Sequence, residues 1–260
     1  MNKKFLRLLA TSTGVLILAL GLSACVTTTT GGGEVNEKQA LETHLRAGMG
    51  YLQHDNRDAA RRHFNSALEL DDDSAEAWQG IAILHQLNGE VELAEKAFKK
   101  ALRGDSSISE SSTYLAYGRF LYEHERYDDA YSYFEDAARD INYPSRSTAL
   151  LFVGRTSLKL DKPERAKAAF EHAVNLDKRQ ADALIELAEI YFSERNYPQA
   201  KAYLDRFAKL TRHTPRSLWL GIRIERVFGN KDKEASYALA LRNMHPYSKE
   251  YLEYKRLIGR

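Results

Sequence analysis

The sequence has a single cysteine, Cys25, in 260 residues, so no disulfide can form within the chain even in an oxidising compartment. It has no apolar run long enough to cross a bilayer comfortably. The one candidate, Leu8 to Leu20, is short and is interrupted by Thr11, Ser12, Thr13 and Gly14, which disfavours a retained membrane helix. It has almost no charge excess. The formal net charge is +2, and Lys3, Lys4 and Arg7 at the very start account for more than that, leaving no basic stripe to suggest a nucleic-acid partner. Catalytic constellations are missing as well. No two of the eight histidines stand four apart, as two metal ligands on one helical face must. There is no Gly-Lys-Ser/Thr phosphate loop, and Asp71-Asp72-Asp73 lacks the carboxylate spacing of a calcium loop. With no acid, base or metal set to assign, no enzymatic role, cofactor or small-molecule substrate is expected.

What is present begins with a leader. A basic start, the short apolar run, and small residues at 23 and 24 describe an export signal over residues 1–24. Leu22-Ser23-Ala24 before Cys25 resembles the bacterial lipoprotein cleavage box. That resemblance implies a diacylglyceryl thioether on the Cys25 sulfur, cleavage before it, and acylation of the new amine. More than one acyl chain makes such an anchor stable. Val26 stands where the family's commonest inner-membrane retention signal is an aspartate, so the resemblance implies the outer membrane, facing the periplasm. Cleavage would remove three basic residues and no acidic one, turning the mature net charge to about −1. Residues 25–38 read as the lipidated cysteine and a tether. The Thr27–Thr30 and Gly31–Gly33 tract is flexible in composition, and about a dozen such residues span on the order of 20 Å.

The remainder, residues 39–260, is repetitive. Gly48, Tyr51, Ala60, Phe64 and Ala67 recur as Ala82, His85, Ala94, Phe98 and Ala101 thirty-four residues on. A step of thirty-six gives Gly118, Leu121, Ala130, Phe134 and Ala137, and another gives Gly154, Ser157, Ala166, Phe170 and Ala173. A step of thirty-four then gives Ala188, Tyr191, Ala200, Leu204 and Phe207. Small residues let two helices approach closely, and the aromatic four positions later on the same face fills the space beside that contact. This pattern resembles the tetratricopeptide family, built of 34-residue helix-turn-helix units. The expected fold is all-α: a right-handed superhelix of about six hairpins near 41–74, 75–108, 111–144, 147–180, 181–214 and 215–246, closed by a capping helix over 247–258. Asp161 with Glu164, Asn196 with Gln199, and Asp73 with Glu76 have the spacing of helix N-terminal caps. Trp78 falls at the family's aromatic position near the start of a first helix, and core packing is the expected role of these aromatics. From Pro215 the pattern loosens: Leu220-Gly221 and Ala235 suggest a sixth hairpin whose separation is two residues too long. Tyr247, Tyr251, Tyr254 and Ile258 form one stripe suited to covering its end.

In tetratricopeptide arrays the first helices line the concave face. The family's groove positions fall here on Leu45, Met49, Leu52, Ile83, Leu87, Leu115, Tyr122, Leu151, Leu158, Ile185 and Phe192, with Arg119, Arg155, Lys159 and Glu189 among them. This strip reads in two ways: as a groove for a partner's helix or extended segment, or as core between neighbouring first helices. Further stretches are not dictated by the repeat. Tyr117-Gly118-Arg119-Phe120-Leu121-Tyr122-Glu123, Arg126-Tyr127-Asp128-Asp129-Ala130-Tyr131, Tyr143-Pro144-Ser145-Arg146-Ser147, Arg216-Ser217-Leu218-Trp219-Leu220-Gly221-Ile222-Arg223 and Ala235-Ser236-Tyr237-Ala238-Leu239 are similar to the PilF/PilW family of type IV pilus biogenesis lipoproteins, the secretin pilotins. The resemblance implies an outer-membrane lipoprotein that binds the secretin PilQ and helps it reach the outer membrane and multimerise. A general periplasmic scaffold for envelope enzymes or outer-membrane assembly, and a structural subunit of the pilus machine, are the other readings, since fold alone does not assign function.

Overall fold

The computed structural model describes residues 32–105 and 110–259. The chain divides into two units, one ending at Ala40 and one spanning Leu41–Arg260. Of the first, only the beginning of α1 (Gly32–Gln53) is described. Residues 32–38, assigned by composition to the tether, therefore belong to a helix. Glu37, Lys38, Gln39 and Ala40 are strong helix formers, which the glycine-rich start of the segment had masked.

In the second unit, α1 pairs with α2 (Arg57–Leu70), and four further hairpins follow: α3 (Ala75–Leu87) with α4 (Val91–Ala101), α5 (Glu110–Glu123) with α6 (Tyr127–Arg139), α7 (Arg146–Lys159) with α8 (Pro163–Leu176), and α9 (Ala181–Ser193) with α10 (Tyr197–Leu210). A sixth joins α11 (Pro215–Val227) to α12 (Lys231–Met244), and α13 (Lys249–Leu257) packs on both. Each second helix also contacts the first helix of the next hairpin from α2·α3 to α10·α11. Helix contacts thus run between near neighbours in the array, which is the architecture of a solenoid.

The six turns inside the hairpins are alike. Each holds three residues between helices. The middle one has positive φ: Asp55, Gly89, Glu125, Asp161, Arg195 and Gly229, between 54° and 76°. The residue after it donates its backbone N–H to the carbonyl five residues back, from Asn56 to Tyr51 through Asn230 to Glu225, at 2.8–2.9 Å. This is the Schellman closure of a helix, and the same residue starts the next helix. Asn56, Asn196 and Asn230 also cap with their side chains, accepting from Ala59, Gln199 and Lys233. Asp161 does not cap as its spacing suggested. It occupies the left-handed position, and Lys162 precedes the helix. Nor does Asp73, because Ser74 accepts from Ala77 in its place.

The core repeats with the turns. Ala60, Ala94, Ala130, Ala166 and Ala200 are wholly buried, as are Phe64, Phe98, Phe134 and Phe170. Phe170 lies so close to Gly154 that a Cβ there would stand 2.4 Å from the ring, and Phe134 with Gly118 is similar. Trp78 is half-buried: its Nε1–H donates to the Asp72 carbonyl at 2.7 Å and Lys100 Nζ lies 3.7 Å from its ring centre.

The sixth hairpin is not lengthened. Asn230 stands thirty-four residues after Asn196 in the same capping role, and Thr214 follows Gln180 by the same interval at the N-terminal cap position. What changes is residue size. Ile222 and Ala238 take the places of Ala188 and Leu204, so the large member moves to the first helix. Glu234 takes the place of Ala200 and bonds Arg226. Leu218, Ile222, Ala238 and Leu241 form a separate cluster, against which Tyr251 and Tyr254 of α13 pack. Tyr247 and Ile258 lie just outside α13 and are exposed, so only the middle of the expected stripe covers the end.

Candidate functional site

The first helices lie side by side: α3 contacts α5, α5 contacts α7, and α9 contacts α11. Every groove position read from the sequence falls on one of α1, α3, α5, α7 or α9, and the structure divides them by burial. Leu45, Leu115, Leu151 and Ile185 are core. Leu52, Ile83, Tyr122 and Phe192 are partly buried against that core. Met49, Leu87 and Leu158 remain 39–45% exposed, and Arg119 is exposed. The division follows helix geometry. Residues 45, 49 and 52 step round the helix by three and four, and only part of that arc can face a neighbour.

The middle of the face is aromatic and cationic. The Tyr122 ring meets Tyr127 edge-on at 5.3 Å and Phe152 at 6.2 Å. Arg119 and Arg155 lie 5.5 and 5.9 Å from the Phe152 ring centre, and Lys159 lies 5.6 Å from that of Tyr127. Burial pushes the Tyr122 hydroxyl pKa above its ordinary value, so it stays a neutral donor.

Toward α11 the face becomes an ion lattice. Arg155 on α7 reaches Asp182 at 3.0 Å and Glu186 at 3.4 Å on α9. Arg216 on α11 grips Glu186 with two bonds of 2.8 and 3.1 Å and approaches Glu189 at 3.6 Å. Arg223 bonds Glu189 at 2.9 Å and lies over the rings of Phe192 and Trp219 at 4.7 and 5.5 Å. Burial of Arg216 opposes its charge, but the Glu186 bonds outweigh this and its pKa lies above the usual value. Fork-shaped guanidinium pairs of this kind fix the relative placement of three helices.

Sequence reasoning found Arg119, Arg155, Lys159 and Glu189 but missed Glu186, Arg216 and Arg223 as partners. Their separations of about thirty residues are one repeat, and that regularity was the available signal. It also missed His44 and His63, which the first hairpin brings together with Nδ1 atoms 3.0 Å apart, one donating and one accepting. Tyr51 stacks on His63 at 5.3 Å. Searching for histidines within one helix cannot find a pair made across two. Among the described residues, no group of three or more His, Cys, Asp or Glu is gathered so as to hold a metal ion. Cys25 lies outside the described residues.

Comparison with known proteins agrees with this architecture. Two tetratricopeptide-repeat family models match residues 45–107 and 157–217. The class is thus a tetratricopeptide-repeat protein. The chain is 37% identical over 248 residues to the type IV pilus assembly protein PilF of Pseudomonas aeruginosa, covering 93% of this chain and 96% of that one. A solved structure from the functional characterisation of Pseudomonas aeruginosa pilF has a TM-score of 0.81 at 37% identity, covering 85% of this chain and 99% of the other. The crystal structure of PilW, a widely conserved type IV pilus biogenesis factor, gives 0.68 at 24% identity, covering 83% and 98%, and supports the fold alone. The chain belongs to the PilF family of type IV pilus assembly proteins.

Proposed function

We propose that this protein is a lipid-anchored outer-membrane component of type IV pilus assembly that binds the pilus secretin and promotes its outer-membrane localisation and multimerisation. The observation that carries the reading is kinship along nearly the whole chain with a pilus assembly protein. The first-helix face supports it. Met49, Leu87 and Leu158 leave exposed apolar side chains on the same run of first helices that carries exposed Arg119 and Lys159, chemistry suited to gripping a segment of another protein. The two tasks separate physically: the lipid on Cys25 sets the membrane, and the helical array holds the secretin subunit.

In cells, a photo-crosslinker at Leu87 or Leu158 is expected to trap the secretin. Capture of a hydrolase or of the barrel-assembly machinery instead would refute the assignment of the partner. Cys25→Ser is expected to leave the fold and secretin binding intact while the secretin fails to reach the outer membrane. Normal outer-membrane multimers, with this protein free in the periplasm, would refute delivery.

A further inference from the structure

Cations are treated unequally along the array. Arg155, Arg216 and Arg223 each meet a carboxylate on the first-helix face. Where α8 ends beside α10, the opposite holds. An open depression of about 440 Å³ is lined by Lys178, Arg206, Lys209 and Leu210. Among the described residues none of these three cations has an ion-pair partner. Lys178 Nζ bonds the neutral Asn175 Oδ1 at 3.1 Å, and Arg206 lies over the Tyr203 ring at 5.3 Å. Asp177, the acid in the same turn, directs Oδ1 back to the Arg179 backbone N–H at 2.8 Å. From Arg206 through Ile224 the sequence has no acidic residue, and Arg179 and Arg212 are exposed in the adjoining turns.

The apolar residues here are also left outside. Leu176 and Leu210 are the last residues of α8 and α10, and they are 47% and 38% exposed. Leucines beside unpaired cations on long stems suit the boundary of a bilayer. The stems lie along apolar surface while the charged heads reach phosphates. A folded acidic partner would need fixed carboxylates opposite each head. Here the cations sit on separate elements around an open depression, which fits a fluid array of phosphates better. The equivalent turn after α2 carries Asp71, Asp72 and Asp73, so the same edge has the opposite sign one end along.

We propose that the edge formed by the α8–α9 turn and the end of α10 docks onto an anionic lipid bilayer, with Lys178, Arg206, Lys209 and Arg212 toward headgroup phosphates and Leu176 and Leu210 entering the interface. This surface is distinct from the first-helix face, so it fixes how the array lies on its membrane without depending on which partner that face binds.

The test is amine acylation of the full chain reconstituted into vesicles, read by mass spectrometry at each lysine. Lys96, exposed on α4, is the internal reference. A surface attraction of this kind is on the order of fivefold in partitioning per cation. On vesicles containing phosphatidylglycerol, Lys178 and Lys209 are expected to react roughly fivefold more slowly relative to Lys96, with full reactivity restored in high salt. On pure phosphatidylcholine no slowing is expected, because the tether is shared by both vesicles and only headgroup charge differs. Arg206→Glu with Arg212→Glu should abolish the slowing while leaving the helical circular dichroism unchanged. Equal reactivity on both vesicles would overturn the proposal, as would equal slowing on both. Slowing by soluble polyglutamate but not by anionic vesicles would overturn it in favour of an acidic protein partner.

Discussion

Replacing Gly154 with alanine sets two physical effects against each other, and the structure says which wins. In a free helix the change stabilises by about 1 kcal/mol, because glycine loses more backbone freedom on folding. In this helix the added Cβ stands 2.4, 2.6 and 2.8 Å from Cε1, Cδ1 and Cζ of Phe170. Carbon atoms rest at about 3.5–4.0 Å, so α7 or the ring must move by roughly 1 Å. Phe170 is fully buried and has nowhere to go. Forced overpacking costs about 1–3 kcal/mol, leaving, after the gain of about 1 kcal/mol, a net loss of up to about 2 kcal/mol and a fall in Tm of up to roughly 8 °C for an array of this size. Gly50, also helical, has nothing within 4 Å of its missing Cβ, so Gly50→Ala should stabilise. Hairpin two holds Ala82 with Phe98 at the equivalent positions, both fully buried, so α3 and α4 are already spaced for the pair. Hairpin five relieves it differently, with Ala188 and Leu204. Gly154→Ala should therefore be rescued by Phe170→Leu, with a coupling of about 1 kcal/mol or more in a double-mutant cycle. Thermal melts followed by circular dichroism, with amide exchange in α7 and α8, read both. Should Gly154→Ala stabilise as much as Gly50→Ala, or show no coupling to Phe170, the close helix approach is not what holds the hairpin.

Three further outcomes follow from particular contacts. A Cβ on Gly104 would meet the Asp73 carbonyl at 2.1 Å, so Gly104→Ala should cost about 1–3 kcal/mol and speed exchange of the Asp105 and Ala75 amides, which bond across these turns. Equal exchange rates in the variant would remove that turn-to-turn bridge from the account. The Arg126 and Lys99 bonds hold the Glu95 carboxyl down at about 2 from its usual 4.5. A lowered folded pKa contributes stability above pH 4.5 that is lost as pH falls toward 2, so Arg126→Met should flatten acid unfolding in that window; an unchanged acid limb would count against the pair. Glu125 has a left-handed backbone at φ 60°, and Glu125→Gly should raise stability by about 0.5 kcal/mol in urea titration, whereas a loss would mean its side chain matters more than its strain.

The spacing of Phe64, Phe98, Phe134 and Phe170 made the first four hairpins readable, because each position is set by one contact repeated. Hairpin six hid its register for the same reason. Ile222 and Ala238 exchange sizes, so a search for small-then-large slips to Gly221 and Ala235 although the backbone keeps step. Asp161 was misread because acidic residues both cap helices and tolerate positive φ, and only the backbone distinguishes one position from the next. The groove strip was legible as a face but not as a surface. Leu115 and Met49 look alike in sequence, and their burial is decided by how closely neighbouring first helices pack. The Glu186 lattice needs three hairpins in register before its partners meet.

The uniform three-residue turns have a mechanical consequence. Among the described connectors, all variation in length falls on the other kind of joint: four residues after α2, α8, α10 and α12, and six after α6. Each hairpin closes through the same turn geometry, and differences in length fall between hairpins, where the chain is free to gain or lose a residue. Curvature can then drift over generations at the joints between hairpins, at little entropic cost, while the hairpins themselves stay interchangeable.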